Sequence, residues 1–330
     1  MTVALPKQYF IQHDTYFDYD EAVNNKVMLV RLQPRNDRGQ YLRTFSLTTE
    51  PDSNPVACVD SFGNVCHTIS IFGKSTKTHI RSTSRVNTIQ GIDLDALQPI
   101  TWDELQNQSR RVQFWHYLAP SQLVYPGEAL DDFITKHGLK PGPDPLVTLR
   151  KLCSDLYNQL EYQPGSTTVE SSLEFFLERG KGVCQDYTHA MLALGRKWGI
   201  PCRYVSGYLY IHSSSQTHSQ EVASHAWPEF WLPEAGWIGL DPTNDSVVDH
   251  RFVRVAQGRD YADVAPTRGV IFGGGRMSIS VKVTMKPVKP DESTTGIGHE
   301  KDQTQVHLKS LPWQTKNSIK VPPDQNGSDQ

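Results

Sequence analysis

A cysteine at the predicted start of a helix is placed for nucleophilic chemistry. Cys184 follows two turn-forming glycines, Gly180 and Gly182, and apolar residues then recur at helical spacing until a stop at residues 199–201. A helix amino terminus carries a partial positive charge and N–H groups without partners, so it favours a thiolate and can hold an oxyanion. The pattern therefore predicts an activated thiol at Cys184.

A histidine and an aspartate downstream complete the set that acyl transfer requires. His225 lies in a strand-like segment, and Asp241 ends the next one. A cysteine that attacks, a histidine that accepts its proton and a carboxylate that orients the ring form the triad of this chemistry. Cys184, His225 and Asp241 are therefore the candidate catalytic residues.

The predicted hairpin leaves a gap between the last two of these residues. A four-residue loop at 233–236 sets Asp241 opposite Pro228, three positions from His225, so a bulge or a different loop has to bring them together. Pro228 itself cannot donate to a strand ladder, which predicts an edge or a bulge at this position.

The other four cysteines are interpreted as packing residues. The chain has five cysteines, an odd number without a C-x-x-C pair, which argues against a disulfide framework or a structural zinc site. Cys153 lies on the apolar face of a predicted helix, Cys202 follows a helix stop, and Cys58 and Cys66 lie in strand-like segments. Free cysteines in such places are usually small buried hydrophobic residues.

The amino-terminal third is predicted to be rich in strands. Residues 26–32 and 65–72 are short segments of β-branched and apolar residues, and turn-forming sequences such as residues 60–64 separate such segments. This regular spacing, without a long helical period, favours an antiparallel sandwich.

Helices and then further strands follow. Capping-box spacing at residues 101–104 and 167–170, and the Asp144-Pro145 pair, predict three helix starts. Strands return at residue 203, and the last is expected at 277–285. Helices followed by strands, rather than alternation, predict an α+β core.

These patterns divide the chain into three parts. We predict a β-sandwich domain over residues 1–95 and an α+β domain, with helices packed on an antiparallel sheet, over residues 96–286. Residues 287–330 are dominated by polar residues and proline, which predicts a flexible tail.

Composition excludes several classes of protein. The 330 residues, 37% hydrophobic and 21% charged, describe a globular chain, and its net charge of −3 gives no reason to bind nucleic acid or an anionic membrane. No apolar run approaches the roughly 18–20 residues that span a bilayer. The amino terminus is polar by Lys7 and has no signal-peptide core. We therefore expect a cytoplasmic protein that binds neither nucleic acid nor membrane.

The segments around the candidate residues closely resemble the transglutaminase-like superfamily, a branch of the papain-like cysteine enzymes. The resemblance rests on residues 182–186, 199–208, 224–227 and 236–244. Residues 258–266 with Arg268-Gly269 resemble the bacterial transglutaminase-like subgroup, which also begins with a β-rich domain. The resemblance implies a papain-like core in which Cys184 is the nucleophile, His225 the base and Asp241 its orienting partner.

Three neighbours of the triad are candidate substrate-binding residues. Gln185 and Asp186 match the motif and either shape the site or cap the first helical turn, while Trp227 either screens the site from water or fills the core. His212 and His218 have no metal-ligand spacing, and no EF-hand loop is present. We therefore predict no metal and no cofactor.

The implied reaction is acyl transfer through a cysteine thioester, with a protein or peptide substrate. The resemblance is compatible with hydrolysis of peptide or glutamine-type amides, which we favour, and with transfer of the acyl group to a primary amine. A non-catalytic papain-like binding module is the alternative from another class. The triad forms the same thioester in both reactions, so the sequence leaves water and amine open as acceptors.

Overall fold

The computed structural model describes residues 7–37, 39–211, 224–273 and 276–288, which belong to one compact unit. Its strands are β1 (Lys7–Val23), β2 (Lys26–Val30), β3 (Gln40–Glu50), β4 (Val56–Val59), β5 (Val65–Ile71), β6 (Ser75–Thr88), β7 (Glu161–Tyr162), β8 (Lys181–Gly182), β9 (Cys202–Leu209), β10 (Ser224–Leu232), β11 (Gly236–Asp241), β12 (Ser246–Val247), β13 (Phe252–Gly258), β14 (Thr267–Ile271) and β15 (Met277–Val288). Its α-helices are α1 (Trp102–Ser109), α2 (Trp115–Leu118), α3 (Glu128–His137), α4 (Pro145–Gln159), α5 (Leu173–Arg179), α6 (Cys184–Lys197) and α7 (Tyr261–Val264). Among these described helices, none has both the length and the apolar character needed to cross a bilayer.

The predicted antiparallel sandwich is confirmed. Two four-stranded sheets have the orders β15-β1-β6-β3 and β14-β2-β5-β4, with every strand pair antiparallel. Burial alternates along β6, as expected for a strand with one face on a core. Side chains from both sheets meet in this core: Phe17, Tyr19, Val23, Met28, Val30, Leu32, Ile69, Ile71 and Ile80.

Two strands of the sandwich come from the far end of the chain. β14 pairs with β2, and β15 pairs along β1 from Met277 to Val288. The division into 1–95, 96–286 and 287–330 stays a prediction, but β14 and most of β15, assigned there to the second part, lie in the sheets of the first. β15 also includes the first two residues of the predicted tail, and most of that segment lies outside the described residues.

The predicted α+β core is also confirmed. A five-stranded sheet has the order β12-β11-β10-β9-β13, and α6 packs against β9 and β10 at its centre. The buried side chains of α4, α5 and α6 lie in one large hydrophobic cluster with those of the sheet. Burial on all sides of α6 explains why its apolar residues extend beyond a single stripe.

Two of the three predicted helix starts are correct, and one is displaced. Thr101 forms a capping box at α1, and Asp144 caps α4 ahead of its first residue, a proline. α5 is instead capped by Ser172, whose hydroxyl accepts from a backbone N–H at 3.2 Å. Thr167, the predicted cap, donates its hydroxyl to Asp186 at 2.6 Å, because the tertiary structure offers it a buried carboxylate.

The turn-forming sequence at residues 60–64 connects the sandwich to the core. Asn64 is fully buried, and its side-chain amide donates to the backbone oxygen of Gln257 and accepts from its N–H, both at 2.8 Å. The Asp60 carboxylate holds this turn from within by accepting from the backbone N–H groups of Phe62 and Asn64. The turn thus acts as an extra partner for β13.

Candidate active site

Cys184 is the first residue of α6 and is partly exposed. The preceding α5 is capped at its carboxyl end by Gly180, whose φ of 67° is in the region that favours glycine. At Gly182 a Cβ would come within 2.5 Å of an aromatic carbon of α5, so the backbone approach requires glycine. Asp186 accepts from the Val183 N–H at 2.8 Å and closes the first turn. Turn and cap together hold the thiol at the start of the helix, as predicted.

His225 and Asp241 meet as buried neighbours on adjacent strands. The Nε2 of His225 lies 2.8 Å from Oδ2 of Asp241, and both side chains are almost fully shielded from solvent. Burial alone would lower the pKa of His225, but the Asp241 carboxylate, helped by Cys184, raises it to about 10. Burial would raise the pKa of Asp241, but the charge of His225 and the hydrogen bonds that the Asp241 carboxylate accepts lower this pKa. The pair therefore favours an imidazolium beside a carboxylate.

The hairpin reaches this contact with a loop one residue shorter than predicted. Leu232 pairs with Gly236, and Glu229 pairs with Gly239. Continued by two residues, this register sets Asp241 opposite Trp227 rather than opposite Pro228. Asp241 then shares a strand face with His225, two positions along, which is within reach of a diagonal side-chain contact.

Pro228 lies where the pairing of β10 with β11 ends. The N–H of Trp231 bonds to the backbone oxygen of Pro201, next to β9. Successive residues of a strand direct their backbone N–H and C=O groups to opposite sides, so Pro228, three residues earlier, faces β11. The pairing of β10 with β11 extends only as far as Glu229. The proline therefore lies in a central strand, where the pairing with β11 ends and the pairing with β9 continues without a register shift. The predicted edge or bulge at this position is wrong.

The carboxylate of Asp241 has two further donors that sequence reasoning missed. The backbone N–H of Thr243 donates to Oδ1 at 3.0 Å, and the Asn244 amide donates to Oδ2 at 2.7 Å. Both donors lie in the turn directly after β11. A short polar side chain three residues after the aspartate is the signal that could have indicated this role.

The second nitrogen of His225 faces away from Asp241. Nδ1 is buried and has no hydrogen bond among the described residues, and Cys184 is close enough to contribute to the raised pKa of the ring. Trp227 and Phe252 lie against the ring, with centroid distances of 6.2 and 6.1 Å. Asp241 and the two aromatic rings therefore fix the imidazole, and Nδ1 is its ring nitrogen without a hydrogen bond to the described residues.

The three predicted substrate-binding residues are buried and have structural contacts. Asp186 is 3% exposed and bonds to Val183 and Thr167, which is the capping alternative. Gln185 donates to a backbone oxygen at 3.3 Å, and Trp227 is fully buried among the rings beside His225. Substrate binding by these residues stays a prediction.

Two tyrosines that were not singled out lie near the thiol. Burial raises the pKa of Tyr162 to about 12 and that of Tyr204 well above its ordinary value, and the neighbouring Cys184 raises both further. The two phenols are therefore neutral, and they contribute polar but uncharged walls to the surroundings of Cys184.

The other four cysteines and His189, a residue of α6, differ in burial. Cys66, Cys153 and Cys202 are buried, whereas Cys58 is exposed, contrary to its interpretation as a packing residue. His189 accepts from the N–H of Tyr261 at 3.2 Å, and burial lowers its pKa to about 4, as suits a packed helix residue. The described residues contain no group of three or more His, Cys, Asp and Glu that could hold a metal ion. His212 and His218 lie outside these residues.

Two family models match the chain. Residues 134–242 match the transglutaminase-like superfamily, and residues 9–87 match the bacterial transglutaminase-like N-terminal region. The first range contains Cys184, His225 and Asp241, and the second contains most of the amino-terminal strands.

Individual proteins are also similar to this chain. An uncharacterized protein of Mycobacterium leprae is 31% identical over 278 residues, 83% of this chain and 96% of the relative. A protein-glutamine gamma-glutamyltransferase of Pseudomonas aeruginosa is 31% identical over 111 residues, 30% of this chain and 15% of that protein. A crystal structure provisionally described as a cysteine protease from Cytophaga hutchinsonii superposes with a TM-score of 0.68 at 20% identity, over 87% of this chain and 93% of that one. The solved structure shares the fold over both parts of the chain.

Proposed function

Since this chain belongs to the transglutaminase-like superfamily, we propose that it is a cysteine enzyme with Cys184 as nucleophile, His225 as base and Asp241 as the residue that orients the ring. One observation carries the proposal: Asp241 holds Nε2 of His225 at 2.8 Å, while the buried Nδ1 remains for a thiol at the start of α6. Such a chain of contacts activates a nucleophile in acyl transfer.

The proposed reaction starts from a His225 ring that already holds the Cys184 proton. The thiolate attacks an amide carbonyl, and the first N–H groups of α6, at Cys184 and Gln185, stabilise the oxyanion. The intermediate collapses to a thioester, and His225 gives its proton to the departing amine or ammonia. The raised pKa of His225 supports this order, because a ring that holds its proton favours the thiolate beside it.

We favour hydrolysis of a peptide or glutamine-type amide as the second half of the reaction. Cys184 is partly exposed, and water that reaches a thioester competes with any amine acceptor. His225 would then take a proton from the attacking water, and the acid product would leave Cys184 as a thiol.

Transfer to a primary amine is the second candidate. The observation that favours it is the match to the Pseudomonas aeruginosa protein-glutamine gamma-glutamyltransferase. The same thioester would be attacked by an amine instead of water, with His225 again accepting the proton.

The acceptor is tested by incubating the protein with a glutamine peptide and a primary amine and weighing the products. We expect conversion of the amide to the acid, and an amine adduct as the main product would contradict hydrolysis. Replacing Cys184 with alanine is expected to lower the rate by about 10³-fold or more, because the covalent path disappears. Cys58→Ala, which removes another accessible thiol, is the matched control and should retain activity.

Thiol labelling separates an enzyme from a non-catalytic binding module. Cys58 is exposed and Cys184 only partly so, which means that accessibility alone predicts faster labelling of Cys58. We expect Cys184 to react first with iodoacetamide, and buried Cys202, whose pKa is raised to about 11, to react much more slowly. If Cys184 reacts no faster than Cys202 in the folded protein, the activated nucleophile is refuted and the binding module is favoured.

A further inference from the structure

Two cysteines outside the candidate active site face each other across a strand pair. Cys58 on β4 is the register partner of Cys66 on β5. Directly opposed residues of antiparallel strands have their side chains on the same face of the sheet. The Asp60 N–H bonds to the Asn64 oxygen two residues along the same ladder, so Cys58 and Cys66 form a hydrogen-bonded pair. Such pairs have Cα atoms about 5.5 Å apart, within the range of about 4.4–6.8 Å found in disulfides.

The two thiols differ in accessibility. Cys58 is exposed, whereas Cys66 is fully buried, with its Sγ 3.6 Å from Oδ2 of Asp60 and from the backbone oxygen of Asn64. Burial raises the pKa of Cys66 to about 11, so this thiol is a poor attacker of molecules in solution. An exposed thiol opposite a shielded one resembles the division between an attacking and a resolving cysteine.

We propose that Cys58 and Cys66 form a reversible thiol–disulfide couple that small disulfides such as oxidised glutathione close. The Cys58 thiolate attacks one sulfur of the small disulfide, whose S–S bond breaks and releases one glutathione thiol. Cys66 then loses its proton to water and attacks the sulfur of Cys58, which expels the second glutathione. Two protein thiols are oxidised by two electrons, and one glutathione disulfide is reduced to two thiols. This couple is separate from the proposed acyl-transfer site and does not rest on it.

The sequence provides a convenient readout. Arg43 and Lys74 bound a tryptic peptide, residues 44–74, which contains both cysteines and no other. The experiment uses the full chain with Cys184→Ala, so that the thiol proposed as nucleophile consumes no oxidant. After incubation with oxidised glutathione, free thiols are alkylated, and the peptide is weighed without reduction. We expect a peptide that carries no alkyl group, is about 2 Da lighter than the dithiol form, and regains both thiols on treatment with dithiothreitol.

Two further variants distinguish the roles of the cysteines. With Cys66→Ala, we expect the reaction to stop with one glutathione attached to Cys58. With Cys58→Ala, we expect glutathione to attach to the peptide at least about tenfold more slowly, because Cys66 is shielded. The proposal is overturned if the chain with both cysteines also stops at the glutathione adduct, or if its peptide keeps two free thiols at an oxidant concentration that modifies Cys58 in Cys66→Ala.

Discussion

At the scale of single residues, three hydrogen bonds hold the carboxylate of Asp241. His225 and Asn244 share Oδ2, and the Thr243 N–H binds Oδ1. With both oxygens occupied, the carboxylate cannot rotate away from the imidazole without leaving a buried donor unpaired. The orientation of the imidazole thus depends on the turn after β11 as well as on the aspartate.

We therefore predict that Asn244→Ala impairs catalysis. A hydrogen bond to a charged group contributes about 1.5–3 kcal/mol, so kcat/KM should fall about 10- to 100-fold, mainly through kcat. Steady-state kinetics with the substrate found above measure this change. Asn158→Ala, at an exposed asparagine of α4, is the matched control. A decrease confined to KM, or an equal loss in the control, would contradict a positioning role for Asn244.

The imidazole of His225 should also make stability depend on pH. Its pKa is raised from 6.5 to about 10, so the folded state binds this proton more tightly than the unfolded state. The resulting stabilisation is fully present below pH 6.5 and is lost as the pH rises toward 10. Urea unfolding of the protein and of His225→Gln, between pH 6 and pH 10, should show a stability difference that becomes less favourable to the histidine as pH rises. A constant difference would exclude the raised pKa.

At the scale of elements, the β10–β11 loop controls which face carries Asp241. Pro233, Glu234 and Ala235 connect the strands, and Glu234 has a φ of 61°, which a tight turn requires. An odd number of loop residues after Leu232 gives Asp241 the same strand face as His225. One residue more or fewer reverses the face of every following side chain.

Inserting one glycine after Ala235 is therefore predicted to abolish the His225–Asp241 contact. We expect the register of β11 to slip by one residue, which turns Asp241 to the other face and lowers kcat/KM by about 10²-fold or more. Inserting glycine after Gly73, in an exposed turn of the sandwich, is the control. Activity assays combined with the chemical shifts of the His225 ring test this expectation. Unchanged activity with an unchanged ring would show that the loop absorbs the insertion.

At the scale of the whole molecule, the two β-rich parts share strands and buried polar contacts. One sheet of the sandwich also packs against β9 and β13 through a cluster with Tyr9, Ile11, Val86, Tyr208, Val253 and Val255. β14 and β15 return from the core to pair with β2 and β1. The candidate site therefore lies on a sheet that depends on the amino-terminal strands for part of its support.

Removing the Asn64 side chain tests this dependence. Asn64→Ala leaves the buried backbone N–H and oxygen of Gln257 without their partners, at a cost of about 1–3 kcal/mol for each group. We expect the free energy of unfolding to decrease by about 2–4 kcal/mol, as measured by denaturant titration. Asn54→Ala, at an exposed asparagine before β4, should change it by less than about 0.5 kcal/mol. Equal stability of the two variants would show that the turn is not a significant link.

Much of this protein could be predicted from the sequence because the signals are local. The Gly182–Cys184 turn, the Asp144 cap and the strand periods depend on neighbouring residues, and so does the assignment of the cysteine to a helix start. The types of residue in the candidate triad followed from the same short motifs. The helix cap predicted at Thr167 was wrong, because its hydroxyl donates to a buried carboxylate that is distant in the sequence.

The tertiary structure alone decided how distant segments meet. The contact between His225 and Asp241 depends on a loop conformation and a register, and a change of one residue reverses the face that Asp241 occupies. β14 and β15 join β2 and β1 across more than 200 residues, and strand pairing over such distances depends on packing rather than on local pattern. The sequence by itself therefore determined the chemical groups and their local elements. The packing of those elements determined which groups touch.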